Sequence, residues 1–271
     1  MSEQGRTLLA QGREAEVFLQ PDGSVLKLMR RPEWNHLVER EATALRAVRG
    51  HGVGVPEVLG TAIVDGRAGL VMERLPGADL FSLLSGNPLL IFRVANVMGA
   101  VHARMHDVEA PTSLPDLHDD LRRRIDRAAD LPPHLARIAL AQLDGLPRGD
   151  RLCHGDFHPG NILGPWNQPA IIDWGNATRG NPVADVARTD LLQWLGEPPP
   201  GTSMFIRTVA PVGGRLMSRL YRRQYRRHRS VDADSLRRWE IVWAAARVAE
   251  QIEAEYRALL SFLERATRRL A

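Results

Sequence analysis

The chain has 271 residues, enough for one large domain or two lobes around a sizeable core. Hydrophobic residues at 44% and charged residues at 25% are proportions of a globular protein and exclude a low-complexity or fibrous chain. The single cysteine excludes an intrachain disulfide, and a net charge of +4 leaves one strongly basic stretch, residues 214–229, to account for.

The opening stretch, MSEQGRTLLAQGREAEVF, has no basic segment followed by an apolar one. The most apolar window, PLLIFRVANVMGAVHARMH, is interrupted by Arg93 and Asn96. No secretory leader and no membrane span are expected, and a cytoplasmic location is the default. Residues 8–30 read as strand, turn, strand: LLAQGREAEVFL, PDG, SVLKLMR. Residues 33–49 read as a helix, with Trp34, Leu37, Val38, Glu41, Ala42, Leu45 and Val48 on one face. A strand over 66–77 ends in Pro76-Gly77. The pattern then turns helical over 89–106, 117–129 and 133–143, is broken by the short strand PAIIDWG, and is mostly helical from 183 onward, with a loop at 196–203.

The sequence thus predicts an α+β chain: a small strand-rich N-terminal lobe, 1–75, and a larger, mainly helical C-terminal lobe, 76–271. Within the basic stretch Arg215, Arg219, Arg222, Arg223, Arg226 and Arg227 recur at helical spacing, with Leu216, Leu220 and Tyr221 on another side. This is the solvated face of an amphipathic helix; no nucleic-acid partner is expected, although such a stripe can also meet RNA or guide an anionic ligand.

Two ionisable residues break the apolar pattern. Lys27 lies inside the run Val25-Leu26-Lys27-Leu28-Met29, and Glu41 lies on the apolar stripe of the following helix. A buried charge needs a partner, so the simplest arrangement pairs Lys27 with Glu41; the alternative is that Lys27 snorkels from a sheet edge. Upstream, QGREAEVF suits a turn lying over phosphate, with Gly12 allowing close backbone approach and Ala15 keeping the hairpin thin.

CHGDFHPGNIL, residues 153–163, admits three chemistries. Cys153 and His154 are sequence neighbours whose side chains diverge on an extended chain, which disfavours a thiol nucleophile and leaves Cys153 as a small buried residue. His154, Asp156 and His158 alternate like metal ligands, but Pro159-Gly160 turns the chain at once and no second ligand group stands at recognisable spacing. Phosphoryl transfer fits best. Asp156 and Asn161 stand in the order D-x-x-x-x-N, and Asp173 follows an apolar strand and precedes Trp174-Gly175. A carboxylate can take the proton of an attacking hydroxyl, while an amide oxygen and a second carboxylate suit Mg2+, a hard cation.

HGDFHPGNIL followed by IIDWG resembles the aminoglycoside phosphotransferase and choline kinase-like family of small-molecule kinases. GREAEVF, VLKL, EREATAL, GLVMERLPG, VHARMH and GNPVADVA extend the resemblance over nearly the whole chain. It implies a bilobal protein-kinase-like fold that moves the ATP γ-phosphate to a hydroxyl of a small molecule. It implies that Asp156 is the catalytic base and that Asn161 and Asp173 hold Mg2+. Lys27, oriented by Glu41, would touch the α- and β-phosphates beneath the turn at Gly12, and Glu73 and Leu75 would present backbone groups to adenine. His154 would tie the loop to the core, and Asp185 would brace it from a helix start. Gly155 stands where protein kinases carry an arginine that answers a phosphorylated activation loop, and Gly175–Gly180 is short, so a protein substrate and a phosphate switch are not expected. A nucleotide-binding pseudokinase is the alternative. For the acceptor (aminoglycoside or other antibiotic, sugar, amino alcohol), Asp190, Glu197, Glu240, Glu250, Glu253 and Glu255 are the carboxylates that would meet a polycation. Trp194, Trp239 and Trp243 would stack on it or lie in the core.

Overall fold

The computed structural model describes residues 6–196 and 204–268. The chain opens on three antiparallel strands, β1 (Thr7–Gln11), β2 (Ala15–Leu19) and β3 (Val25–Met29). The single strand expected over LLAQGREAEVFL is therefore two. Gly12 N–H donates to Ala15 O at 2.9 Å, and the turn folds β2 back along β1. A 3-10 turn over Pro32–Trp34 leads into α1 (His36–Val48), so Trp34 precedes the helix to which its spacing assigned it. β4 (Val58–Val64) and β5 (Arg67–Met72) complete a sheet in the order β1-β2-β3-β5-β4. The sequence reading missed β4, an edge strand interrupted by Gly60 and bulged between Val58 and Gly60.

Strand alternation places Lys27. Leu26 and Leu28 face one side of the sheet and pack with Val64, whereas Val25 and Met29, on the Lys27 side, join the main core. Against that side lies the buried face of α1, with Leu37, Val38, Glu41, Ala42, Leu45 and Val48.

After Met72 the chain becomes helical: α2 (Leu80–Gly86), α3 (Ile91–Met105), α4 (Leu117–Arg127) and α5 (Pro133–Asp144). The short α2 was not anticipated; Asp79 caps it by accepting from Ser82 N–H at 2.8 Å. Two small ribbons follow, pairing β6 (Arg151–Cys153) with β9 (Thr178–Gly180) and β7 (Ile162–Leu163) with β8 (Ala170–Ile171). The chain continues as α6 (Pro182–Leu195), α7 (Met204–Tyr225), α8 (Ala233–Val248) and α9 (Glu253–Thr267). The expected loop at 196–203 falls, beyond Gly196, outside the described residues.

α7 crosses α3 closely because Gly99 lacks a side chain: a Cβ there would lie 2.7 Å from Tyr221 O and 2.8 Å from Tyr225 N. Of the expected Leu216, Leu220 and Tyr221, Tyr221 is buried and Leu220 half-buried against the core, but Leu216 is exposed; Met217, Ser218 and Tyr225 complete the buried face of α7. Arg215, Arg219, Arg223, Arg226 and Arg227 face solvent as expected, but Arg222 turns inward to Asp190 at 3.3 Å. Among the described residues no helix is long and apolar enough to cross a membrane.

Candidate active site

The loop from His154 to Asn161 leaves β6, and the turn Asp173–Ala177 lies between β8 and β9, so the two ribbons bring both segments to the edge of the cleft beneath β3. Lys27 Nζ lies 2.7 Å from Glu41 Oε2 and 2.7 Å from Asp173 Oδ1. The predicted pair exists, and Asp173 is its third member. Burial alone would lower the Lys27 pKa, but the Asp173 and Glu41 carboxylates hold it above the usual lysine value. Asp173 is held below the usual carboxylate range, chiefly by Lys27. The other oxygen of Glu41 accepts from Trp174 N–H at 3.2 Å, so this one buried carboxylate ties α1 both to β3 and to the turn after Asp173.

Asp156 is a quarter exposed, with Oδ2 3.7 Å from His158 Nε2 and Oδ1 3.5 Å from Arg188 Nη2. Burial raises its pKa, but His158, Arg188 and His154 together outweigh burial and keep it well below the ordinary carboxylate value. Asn161 Nδ2 donates to Asp156 O at 2.9 Å, which turns the amide oxygen the other way. An amide oxygen from Asn161 and a carboxylate from Asp173 are the hard donors that suit Mg2+.

The loop is held from behind by the residues expected to hold it. His154 Nε2–H donates to Ile172 O at 3.0 Å, and its Nδ1 accepts from Asp156 N–H at 3.2 Å, which fixes a neutral tautomer. Asp185, fully buried in the first turn of α6, accepts from His154 N–H at 2.6 Å and Gly155 N–H at 2.9 Å. Nε2–H of His102 on α3 and Nε2–H of His106, directly after α3, donate to the same carboxylate at 3.1 and 3.3 Å. Their Nδ1 atoms accept from Tyr221 and Tyr225 hydroxyls at 2.6 and 2.7 Å. His102, His106 and Asp185 lie close enough to hold a metal ion. Every ring nitrogen, however, already has a hydrogen-bond partner, so the cluster is complete as a polar brace. Gly155 is required in this loop: its φ is +78°, and a Cβ would lie 2.5 Å from Asn176 O. Cys153 is buried, its thiol pushed up by burial, as a structural cysteine should be.

Other predicted residues fall differently. Gly12 closes its turn through its N–H, but its φ is ordinary and a Cβ would meet nothing nearer than Ala15 O at 3.5 Å, so the backbone there does not require glycine. Glu73 N–H is taken by Glu57 O at 2.9 Å, which leaves the Glu73 carbonyl for a ligand. Glu73 and Leu75 also border a separate groove of about 790 Å³ that includes Arg104 and Trp166 but none of the residues around Asp156.

Of the six acidic residues weighed for a polycation, the five that are described do not line one open cleft. Asp190 and Glu240 are buried between helices, where burial pushes their carboxyls up to about 7 and about 8. Glu250 pairs with Arg188 at 2.9 Å and Arg247 at 2.8 Å, and Glu255 is buried against Arg247. Glu253 is exposed, and Glu197 lies outside the described residues. Trp239 and Trp243 are core residues, while Trp194 is partly exposed beside Phe262.

Sequence reasoning missed Arg188 and Glu14. Arg188 is buried on α6, three residues past Asp185, and its Nε donates to Gly155 O at 3.1 Å. Its place one helical turn from Asp185 was the available signal. Glu14, in the β1–β2 turn, has its carboxyl pushed up by burial and then by the charge of Asp173.

Comparison with known proteins follows this geometry. The model of the phosphotransferase enzyme family matches residues 6–201. Mouse acyl-CoA dehydrogenase family member 10 is 31% identical over 182 residues, 59% of this chain, and the chain spans 17% of that protein's length. An apo thermostable mutant of aminoglycoside phosphotransferase APH(4)-Ia superimposes with a TM-score of 0.68 at 17% identity, covering 99% of this chain and 95% of that one. Macrolide 2'-phosphotransferase MphH from Brachybacterium faecium gives 0.60 at 20% identity, over 98% and 92%. The GDP and kanamycin complex of APH(2")-IIia gives 0.64 at 17% identity, over 99% and 95%. These likenesses share the bilobal fold expected from the sequence. The chain belongs to the phosphotransferase enzyme family.

Proposed function

We propose that the protein transfers the γ-phosphate of ATP to a hydroxyl of a small molecule, in one in-line step, with Asp156 as base. The observation that carries this is the convergence of Lys27, Glu41 and Asp173 in one ion cluster, with Asp156 and Asn161 on the neighbouring loop. Solved relatives described as bound to AMP-PNP and hygromycin B, or to GDP and kanamycin, support a nucleotide donor and a small hydroxylated acceptor.

In this reading the turn at Gly12 covers the phosphates, and the Glu73 carbonyl and Leu75 backbone meet the adenine. Lys27, kept charged by its two carboxylates, moves from Asp173 toward the α- and β-phosphates while Glu41 retains it. Asn161 and Asp173 would hold Mg2+, which when bound neutralises phosphate charge. The acceptor oxygen forms a bond to the γ-phosphorus as the bond to the β–γ bridging oxygen breaks, and ADP leaves. Asp156 takes the acceptor proton. Its low pKa makes it a weak base but a permanent anion, suited to orienting the hydroxyl and receiving the proton late. The Arg188 guanidinium and His158 hold the carboxylate in place.

Labelled ATP with Mg2+, offered aminoglycosides, other antibiotics, sugars, choline and homoserine, tests this. A transfer lost by about 10²- to 10⁴-fold in Asp156→Asn, with nucleotide binding kept, is expected. An Asp156→Asn enzyme as fast as wild type would refute the role of Asp156. Nucleotide binding by the wild type without transfer to any acceptor would favour the pseudokinase alternative.

A further inference from the structure

We infer that Asp120 is a positioning residue for the active site. It is a built-in carboxylate that fixes the turn after Asp173 and helix α1, where protein kinases rely on a phosphate added to the activation loop. The inference rests on the kinase reading above for the roles of Lys27 and Asp173.

Asp120 lies on α4, 8% exposed, and belongs to neither the phosphate cluster nor the base loop. It accepts from Arg124 Nε at 2.7 Å and from Arg123 at 3.2 Å, and Arg40 Nη2 lies 3.9 Å away. Arg40 is on α1, directly before Glu41. Two of these guanidiniums then reach consecutive residues of one turn: Arg40 Nη1 lies 3.5 Å from Gly175 O, and Arg124 Nη2 donates to Asn176 Oδ1 at 3.3 Å. That turn directly follows Asp173, which has a φ of +64° and needs its surroundings to hold it there. Asn176 also lies against Gly155 beside the base. One carboxylate therefore sets both ends of the apparatus, α1 with Glu41 on one side and the turn carrying Asp173 on the other.

Charge explains why the carboxylate is needed. Burial, then the neighbouring charges of Arg124 and Arg123, disfavour the charged form of Arg40, and Asp120 is the largest opposing influence. Without Asp120 the guanidiniums repel one another in a half-buried site, and Arg40 is driven off the turn together with α1. An aspartate needs no modifying enzyme, which agrees with Gly155 in place of the phosphate-answering arginine.

The test uses the full-length protein with Mg2+ and the non-hydrolysable analogue AMP-PNP. Calorimetry gives the nucleotide affinity, amide hydrogen exchange gives the order of residues 173–178, and thermal unfolding runs alongside. Asp120→Asn is expected to weaken binding about tenfold and to speed exchange in the turn by a similar factor, a shift of about 1.4 kcal/mol in each. Asp120→Glu, which keeps the charge, should recover most of both. Arg123→Gln removes an exposed partner that reaches neither the turn nor α1, and it should change neither. If Asp120→Asn lowers only the unfolding temperature and leaves affinity and exchange at wild-type values, the inference is overturned. If Asp120→Asn fails to fold, Arg40→Gln breaks the same link from α1 and is read the same way. Wild-type protein that does not bind the nucleotide would overturn the kinase reading, and the exchange comparison would still decide the role of Asp120.

Discussion

Replacing Asp185 by asparagine changes one oxygen of a fully buried side chain to an amide nitrogen. The consequence can be worked from four hydrogen bonds. Oδ2 accepts from His154 N–H, His102 and His106, and Oδ1 accepts from Gly155 N–H. Asparagine has one acceptor oxygen. Turned to keep the three bonds of Oδ2, it points its NH2 group at the Gly155 N–H, so a donor faces a donor. Turned the other way, it loses three bonds to keep one. The first choice is cheaper. It forfeits one charge-assisted bond of about 1.5–3 kcal/mol and leaves a buried donor unmet at a further 1–3 kcal/mol or so. The three surviving bonds also lose the carboxylate charge. A total of about 3–5 kcal/mol matches what breaking a buried charged group usually costs. For a chain of this size that lowers the unfolding midpoint by roughly 10 °C. Because the displaced donor is Gly155, next to Asp156, turnover should fall as well, and thermal unfolding and phosphate transfer on the same preparation measure both. An Asp185→Asn protein that melts within about 2 °C of wild type and transfers phosphate at the wild-type rate would sink the bracing argument.

The same cluster predicts a pH dependence. Burial, then the neighbouring His106, lowers the His102 pKa from 6.5 to about 4, so the native ring stays neutral where the unfolded one takes a proton. Stability is therefore full above about pH 6.5 and falls toward pH 4, by about 3 kcal/mol from this residue; urea midpoints that stay flat from pH 7 to 4.5 would contradict this. Dialysis against a chelator should leave the unfolding midpoint unchanged, because His102, His106 and Asp185 satisfy one another without an ion; a drop would restore the metal reading. Glu41→Gln should cost nucleotide affinity more than fold, because Lys27 keeps Asp173. Glu41→Ala also strands the Trp174 N–H and should lower the melting point by several degrees; equal melting points for the two variants would refute the second role of Glu41. Gly155→Ala forces a Cβ against Asn176 O at a positive φ, and loss of transfer with folded protein is the expected result.

The candidate site was legible because its residues obey spacing. Asp156, Asn161 and Asp173 lie within one short stretch, and Lys27 and Glu41 announced themselves as charges in apolar runs. Their pairing was the simplest way to satisfy two charges in apolar runs, with a snorkelling Lys27 as the alternative, and the structure brings them to 2.7 Å. What stayed hidden depends on distant packing. The strand reading runs through Gly12 to Glu14 because Ala10 and Ala15 continue the apolar pattern across it; Gly12 suggested a turn there, and the pairing of β1 with β2 fixes where the chain folds back. β4 has a glycine as its third residue and owes its place to β5 rather than to its own pattern. The buried face of α7 could not be read from leucine spacing, because Gly99 brings α3 over Tyr221 and Tyr225 instead. Arg188 offers only its spacing from Asp185, and Asp120 no signal of its own, since charged residues on amphipathic helices are usually solvated.

The two loops of the candidate site both contain backbone that a free chain would avoid: Gly155 at φ +78° and Asp173 at φ +64°. Each is over-determined by a buried carboxylate from a helix outside the loop, Asp185 of α6 for the first and Asp120 of α4 for the second, the latter through arginines. Neither carboxylate lies on the loop it supports, so the loops need not be stable by themselves. The positions of Asp156 and Asp173 are then set by helix packing, which is rigid, rather than by loop sequence. The outward faces of the C-terminal helices carry none of these bonds, so they can vary without moving Asp156 or Asp173. That is how a fold can be shared at 17% identity with an aminoglycoside enzyme without fixing the acceptor.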